Sequence, residues 1–103
     1  MKKRALQIRC LYEDYEKKVL GKSWTRANLA QGFIGDVGDL MKLLMAKDAI
    51  RVIDNVDEKL EHEFADCLWS LLVLADKYDI DLNTVFEHTM TQLEQRIQSE
   101  LTK

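Results

Sequence analysis

Apolar side chains recur along most of this chain at intervals of three and four residues, with polar side chains filling the gaps. That is the period of amphipathic helices, and four such stretches are readable. In the first, from about Lys3 to Val19, the residues Ile8, Tyr12, Tyr15 and Val19 share a face. Gly21 closes it, and Gly-Lys-Ser makes a short turn. The second begins at Ser23 or Thr25, either of which suits an N-cap, and runs to about Lys47. Its stripe is Leu29, Phe33, Val37, Leu40 and Leu44, widened by Ile34 and Met41. The segment from Lys47 to Asp57 loses the period and reads as a connection. Asp57 is placed to cap a third helix, Glu58 to Tyr78, and Asp81 to cap a fourth that ends near Leu101. The fourth carries a narrow stripe of Leu82, Phe86, Met90, Leu93, Ile97 and Leu101.

The third helix differs in kind. From Leu68 onward it is apolar nearly all round, and a helix without a wet face is buried on several sides. A chain of 103 residues can hardly cover it alone. The pattern therefore predicts an all-α, four-helix bundle-like protomer that dimerises through its central helices around Leu68, Leu71, Leu72 and Ala75. Composition agrees, with no proline and few β-branched residues, and the length suits a single domain spanning residues 1–103. The net charge of −3 suggests neither a nucleic-acid partner nor a membrane surface. The basic start Met-Lys-Lys-Arg has no apolar segment behind it and is not expected to be a signal peptide. Cys10 and Cys67 fall within helical apolar patterns, as reduced thiols of a cytoplasmic protein do.

Two features do not fit simple packing. Gly32, Gly35 and Gly38 recur inside the second helix, where each costs about 1 kcal/mol relative to alanine. Their absent side chains would let a neighbouring helix or a phosphate approach closely. Asp36 and Asp39 are threaded between them, and Glu63 and Asp66 form a second acidic pair at the same three-residue spacing on the third helix. Residues three apart share a helix face. Four carboxylates beside a core favour a neutralising cation, and hard divalent ions such as Mg²⁺ take oxygen ligands. The spacing alone equally describes two solvated faces.

Taken together, the segments Gly-Asp-Val-Gly-Asp-Leu-Met-Lys-Leu-Leu (35–44) and Glu-Phe-Ala-Asp-Cys-Leu-Trp-Ser-Leu-Leu-Val-Leu-Ala-Asp-Lys-Tyr-Asp-Ile-Asp-Leu (63–82) resemble the signature segments of the MazG-like nucleoside triphosphate pyrophosphohydrolases. That family's pattern is ExxE on one helix and ExxD on the next. The second motif matches as written, and the first matches in spacing with aspartates for glutamates. The resemblance covers roughly Trp24 to Arg96. It implies a helical homodimer or dimer of dimers, with Asp36, Asp39, Glu63 and Asp66 as ligands of Mg²⁺, or of Mn²⁺. It also implies that a nucleoside triphosphate is split into pyrophosphate and a nucleoside monophosphate, a nucleotide-pool cleansing reaction.

Candidate substrate contacts are Trp24, which could stack on a base, and the cations Lys42, Lys47, Arg51 and Arg96. The chain departs from the family pattern in its shorter first pair and in Gly35, where many members carry a further glutamate. These departures keep open a second reading, a non-catalytic helical dimer on the same scaffold that binds a nucleotide or a protein partner.

Overall fold

The computed structural model describes residues 1–49 and 52–103. It is all-α, with helices α1 (Lys2–Leu20), α2 (Arg26–Lys47), α3 (Val56–Lys77) and α4 (Leu82–Leu101). The punctuation works as the residue types dictate. Gly21 adopts the left-handed conformation (φ 76°), and its N–H bonds the Lys17 carbonyl, an αL cap that a side chain would disfavour. Thr25, rather than Ser23, caps α2 in a reciprocal box with Asn28. Asp81 caps α4, accepting from the Asn83 N–H and the Thr84 hydroxyl.

The start of α3 departs from expectation. Its N-cap is Asn55, left-handed at φ 55°, and Asp57 lies inside the first turn. Asparagine tolerates the left-handed region better than most residues because its short side chain bonds locally. Asp57 stays useful there as an anion near the helix N-terminus, and its carboxylate pairs with Lys47 across the α2–α3 connection.

α2 and α3 pack side by side as the main helix pair, and α1 lies against α3. The Lys47–Asp57 pair marks one end of the α2–α3 pair. Arg26 stacking over the Tyr78 ring, 4.5 Å from its centroid, marks the other. The two helices are therefore antiparallel. Ala5, Leu29 and Val73 form the small buried centre, with Trp69, Leu72 and Leu74 packed on it. Trp69 donates its indole N–H to the Ala5 carbonyl at 3.0 Å, which pins α3 to the start of α1.

No residue of α4 is buried, and its stripe of Phe86, Met90, Leu93 and Ile97 faces solvent. The molecule is correspondingly elongated, with a radius of gyration of 17.6 Å where a compact chain of this length has about 13 Å. It exposes 8148 Å², whereas a compact monomer of its mass exposes about 6,000 Å². Much of the excess is apolar. Leu68 and Leu71 of α3 are also exposed, while Leu72 packs on the protomer's own core.

Candidate metal centre and its flanking cavities

Antiparallel packing of α2 on α3 sets the two acidic segments opposite each other. Asp36, Asp39 and Glu63 each bring a carboxylate oxygen to within 4.8 Å of the others. Asp36 is fixed from α3 by the Ser70 hydroxyl, which donates to its Oδ2 at 3.0 Å. Glu63 is the innermost of the three. Its Oε1 is buried and has no hydrogen-bond partner. Burial, and then the negative charges of Asp36, Asp66 and Asp39, push its carboxyl above the ordinary range. Burial, and then the same carboxylates led by Glu63, raise the neighbouring Cys67 thiol. An acceptor oxygen that is buried, unpaired and repelled by its neighbours is expensive to maintain. A cation among the three carboxylates would supply the missing partner. A donor set of carboxylate oxygens suits a hard ion such as Mg²⁺ or Mn²⁺.

Asp66 stands differently. It lies one turn along α3 from Glu63, but its Oδ2 is 3.1 Å from His62 Nε2, and it is outside the three-residue cluster. Three of the four acidic candidates are thus brought together, and the fourth contributes its charge from the side.

The cluster has a cavity on either flank. One, of about 420 Å³, is lined by Asp39, Glu63, Lys42, Lys59 and His62. The other, of about 350 Å³, has Asp36 and Ser70 at its edge and aromatic walls that include Trp24. Among the candidate substrate contacts, Lys42 lines the first cavity and Trp24 the second. Lys47 is engaged with Asp57. Arg96 sits on exposed α4 and lines neither cavity. Arg51 lies outside the described residues. The sequence reading missed Lys59 and His62, although each stands four residues before an acidic candidate, Glu63 and Asp66 respectively, on the same helix face. It also missed Arg9 and Glu16 at the second cavity. Their seven-residue spacing on α1 was the available signal.

The glycines separate into two kinds. A Cβ on Gly32 would lie 2.9 Å from the Trp24 ring, whereas Gly35 and Gly38 have open space around them. Close approach is therefore a requirement at Gly32 only, and the approaching group is an indole.

An all-α chain that presents a carboxylate cluster between two cavities has the features of a cation-binding helical domain. Residues 25–99 match the family model of the MazG nucleotide pyrophosphohydrolase domain, and the chain belongs to that family. No curated protein and no solved structure matches it significantly. Among the described residues, no helix is long and apolar enough to cross a membrane.

Proposed function

We propose that this chain is a Mg²⁺-dependent nucleoside triphosphate pyrophosphohydrolase, releasing pyrophosphate and a nucleoside monophosphate as a cytoplasmic nucleotide-cleansing activity. The observation that carries the reading is the unpaired, buried Glu63 Oε1 within reach of Asp36 and Asp39, in a member of the MazG family. Asp36, Asp39 and Glu63 would hold the cation, with Asp66 adjoining. Bound there, a divalent ion would orient phosphate oxygens and offset the charge that develops on them. The chain's own groups do the rest by position. Ser70 holds Asp36 in its rotamer, and His62 orients Asp66. Lys42 and Lys59 supply positive charge in the cavity where a polyphosphate tail would lie.

The test is to incubate the protein with a panel of nucleoside triphosphates and Mg²⁺ or Mn²⁺, following pyrophosphate and monophosphate together. Equal release of the two, dependent on the metal, is expected. A folded protein that releases neither from any triphosphate would overturn the catalytic reading in favour of a nucleotide- or protein-binding module.

The active form is proposed to be a homodimer, or a dimer of two such dimers. The excess exposed surface is about 2,000 Å² per chain, and two such faces together fall within the range buried by obligate dimers. Leu68 and Leu71 of α3 and the α4 stripe are the apolar surfaces available for it. Sedimentation at micromolar concentration is expected to give a dimer or larger. Leu93→Asp with Ile97→Asp should shift the distribution to monomer or unfold the chain, because the stripe has no cover within the protomer. A folded wild-type monomer at that concentration would refute the assembly.

A further inference from the structure

We infer that the two products leave in a fixed order, the monophosphate first and pyrophosphate last, because Lys42 and Lys59 hold pyrophosphate in the cavity beside the α2–α3 connection. Retained pyrophosphate also rebinds, so turnover is sustained only where a pyrophosphate-hydrolysing reaction follows and keeps its free concentration low. The inference rests on the hydrolytic reading above and adds to it an order of release and the class of reaction that must consume the product. Hydrolysis adds one water across the α–β anhydride, giving the monophosphate and pyrophosphate and passing one proton to solvent. Both products are anions, so each is held by the positive charge within its reach.

That charge is free on one side of the carboxylate cluster only. Lys42 stands three residues beyond Asp39 on α2, and Lys59 four residues before Glu63 on α3. Because the helices are antiparallel, both displacements run the same way, toward the α2–α3 connection, by about one turn or 5 Å. The two lysines therefore line one cavity, of about 420 Å³, from opposite helices. Among the described residues neither has a carboxylate at ion-pair distance. The other flank differs. Arg9 is the only cation among its lining residues, and its guanidinium is bonded to Glu13 and Glu16. An anion on that side meets no free positive charge.

The lysine-lined cavity also carries Asp39, Glu58 and Glu63, three acidic groups against two lysines. Without a cation this balance repels polyphosphate, and one divalent ion at the cluster reverses it. Pyrophosphate spreads its charge over two phosphate groups and so engages the ion and both lysines together. A monophosphate has a single phosphate group to offer them. Held at more points, pyrophosphate dissociates more slowly.

The test is a calorimetric titration of the full chain with inorganic pyrophosphate and, separately, with adenosine, guanosine, cytidine and uridine monophosphates, with and without Mg²⁺. With Mg²⁺, pyrophosphate is expected to bind about tenfold or more tightly than any monophosphate, and without Mg²⁺ it should show no measurable binding. Lys42→Gln with Lys59→Gln, both at exposed positions, should weaken pyrophosphate by about tenfold or more and the monophosphates by about threefold or less. The same double variant should keep the Mg²⁺-induced rise in Tm. In turnover, added inorganic pyrophosphatase should straighten progress curves that otherwise slow as product accumulates, and the double variant should lose this response.

A monophosphate that binds as tightly as pyrophosphate would overturn the order of release, as would a double variant with wild-type pyrophosphate affinity. Equal pyrophosphate binding without metal, or loss of the Mg²⁺-induced rise in Tm in the double variant, would overturn the charge account behind it. Tight, lysine-dependent pyrophosphate binding without hydrolysis of any triphosphate would uphold the cavity's preference while removing the catalytic reading. Hydrolysis with linear progress curves and weak pyrophosphate binding would remove the retention alone.

Discussion

Replacing Arg9 with Met is expected to cost about 3 kcal/mol of stability, toward the lower end for breaking a buried ion pair because this one borders an open cavity. For a domain of this size that corresponds to a fall in Tm of roughly 10–20 °C. Arg9 is only 4% exposed and Glu16 only 6%. The guanidinium lies 3.0 Å from Glu16 and 3.3 Å from Glu13, and Lys77 reaches Glu13 from α3 at 3.0 Å. Methionine keeps much of the stem's packing but leaves Glu16 buried with only the Trp24 N–H as a partner. Leu at position 16 in the same chain should restore part of the loss, because it removes the uncompensated carboxylate.

Acid sensitivity should change as well. The Lys77 hydrogen bond, aided by Arg9, overcomes burial and holds Glu13 below the ordinary carboxylate range. Burial would raise Glu16, but the Arg9 and Trp24 hydrogen bonds and the Arg9 charge together bring it below that range too. A carboxyl depressed in the folded state contributes stability above its unfolded pKa and loses that contribution as pH falls through the folded value. Wild type should therefore hold stability down to about pH 4.5 and lose it below. Arg9→Met should already lack the Arg9-dependent part at neutral pH and show a shallower acid decline. Urea melts at fixed protein concentration across pH would check both statements. Equal stability of Arg9→Met and wild type would show that the pair is solvated in solution.

The helices were legible in the sequence because their signals are local. Gly21, Thr25 and Asp81 each act within four residues of themselves. The start of α3 was not, because Asn55 and Asp57 are both competent near a helix N-terminus. The structure puts Asn55 at the cap in the left-handed conformation, and Asp57, in the first turn, pairs with Lys47 ten residues away. Unpartnered apolar faces on α3 and α4 were visible as patterns. That α4 keeps only Leu82, at its start, beside α3 and buries none of its residues is a tertiary fact that no stripe encodes.

The acidic candidates illustrate the same limit. Three-residue spacing places Asp36 beside Asp39, and Glu63 beside Asp66, on their own helices. Which pairs face each other depends on the antiparallel register of α2 on α3, and that register brings Glu63 to the first pair. Asp66 meanwhile is engaged by His62, one turn before it. Gly32, Gly35 and Gly38 are indistinguishable in sequence. Only the turn that seats Trp24 singles out Gly32. The two cavities are assembled across helices, so spacing along one helix could mark Lys59, His62, Arg9 and Glu16 as sharing a face, while which cavity each lines depends on how the helices pack.

Glu63→Gln should have the largest effect on activity, lowering metal-dependent pyrophosphate release by about a hundredfold or more, while making the metal-free protein more stable. The substitution is nearly isosteric. It deletes one negative charge from a crowded group, and its amide can donate to Asp36 or Asp39 where the Oε1 of Glu63 has no partner. Relief of like-charge repulsion and of an unpaired buried acceptor should therefore raise Tm without metal. Millimolar Mg²⁺ should stabilise wild type, because an ion that binds only the folded state shifts the folding equilibrium by mass action. That shift should disappear in Glu63→Gln, since a neutral amide is a much weaker ligand for a hard cation. Asp66→Asn is expected to lose less of it, because its carboxylate is turned to His62 and lies outside the three-residue cluster. Thermal melts with and without Mg²⁺, beside pyrophosphate assays on the same samples, separate the effects. A Glu63→Gln protein that keeps both the Mg²⁺ shift and the turnover would place the cation elsewhere. If Asp66→Asn loses more of the shift than Glu63→Gln, then Asp66 turns from His62 into the cluster when the ion binds, and the four carboxylates act as one site.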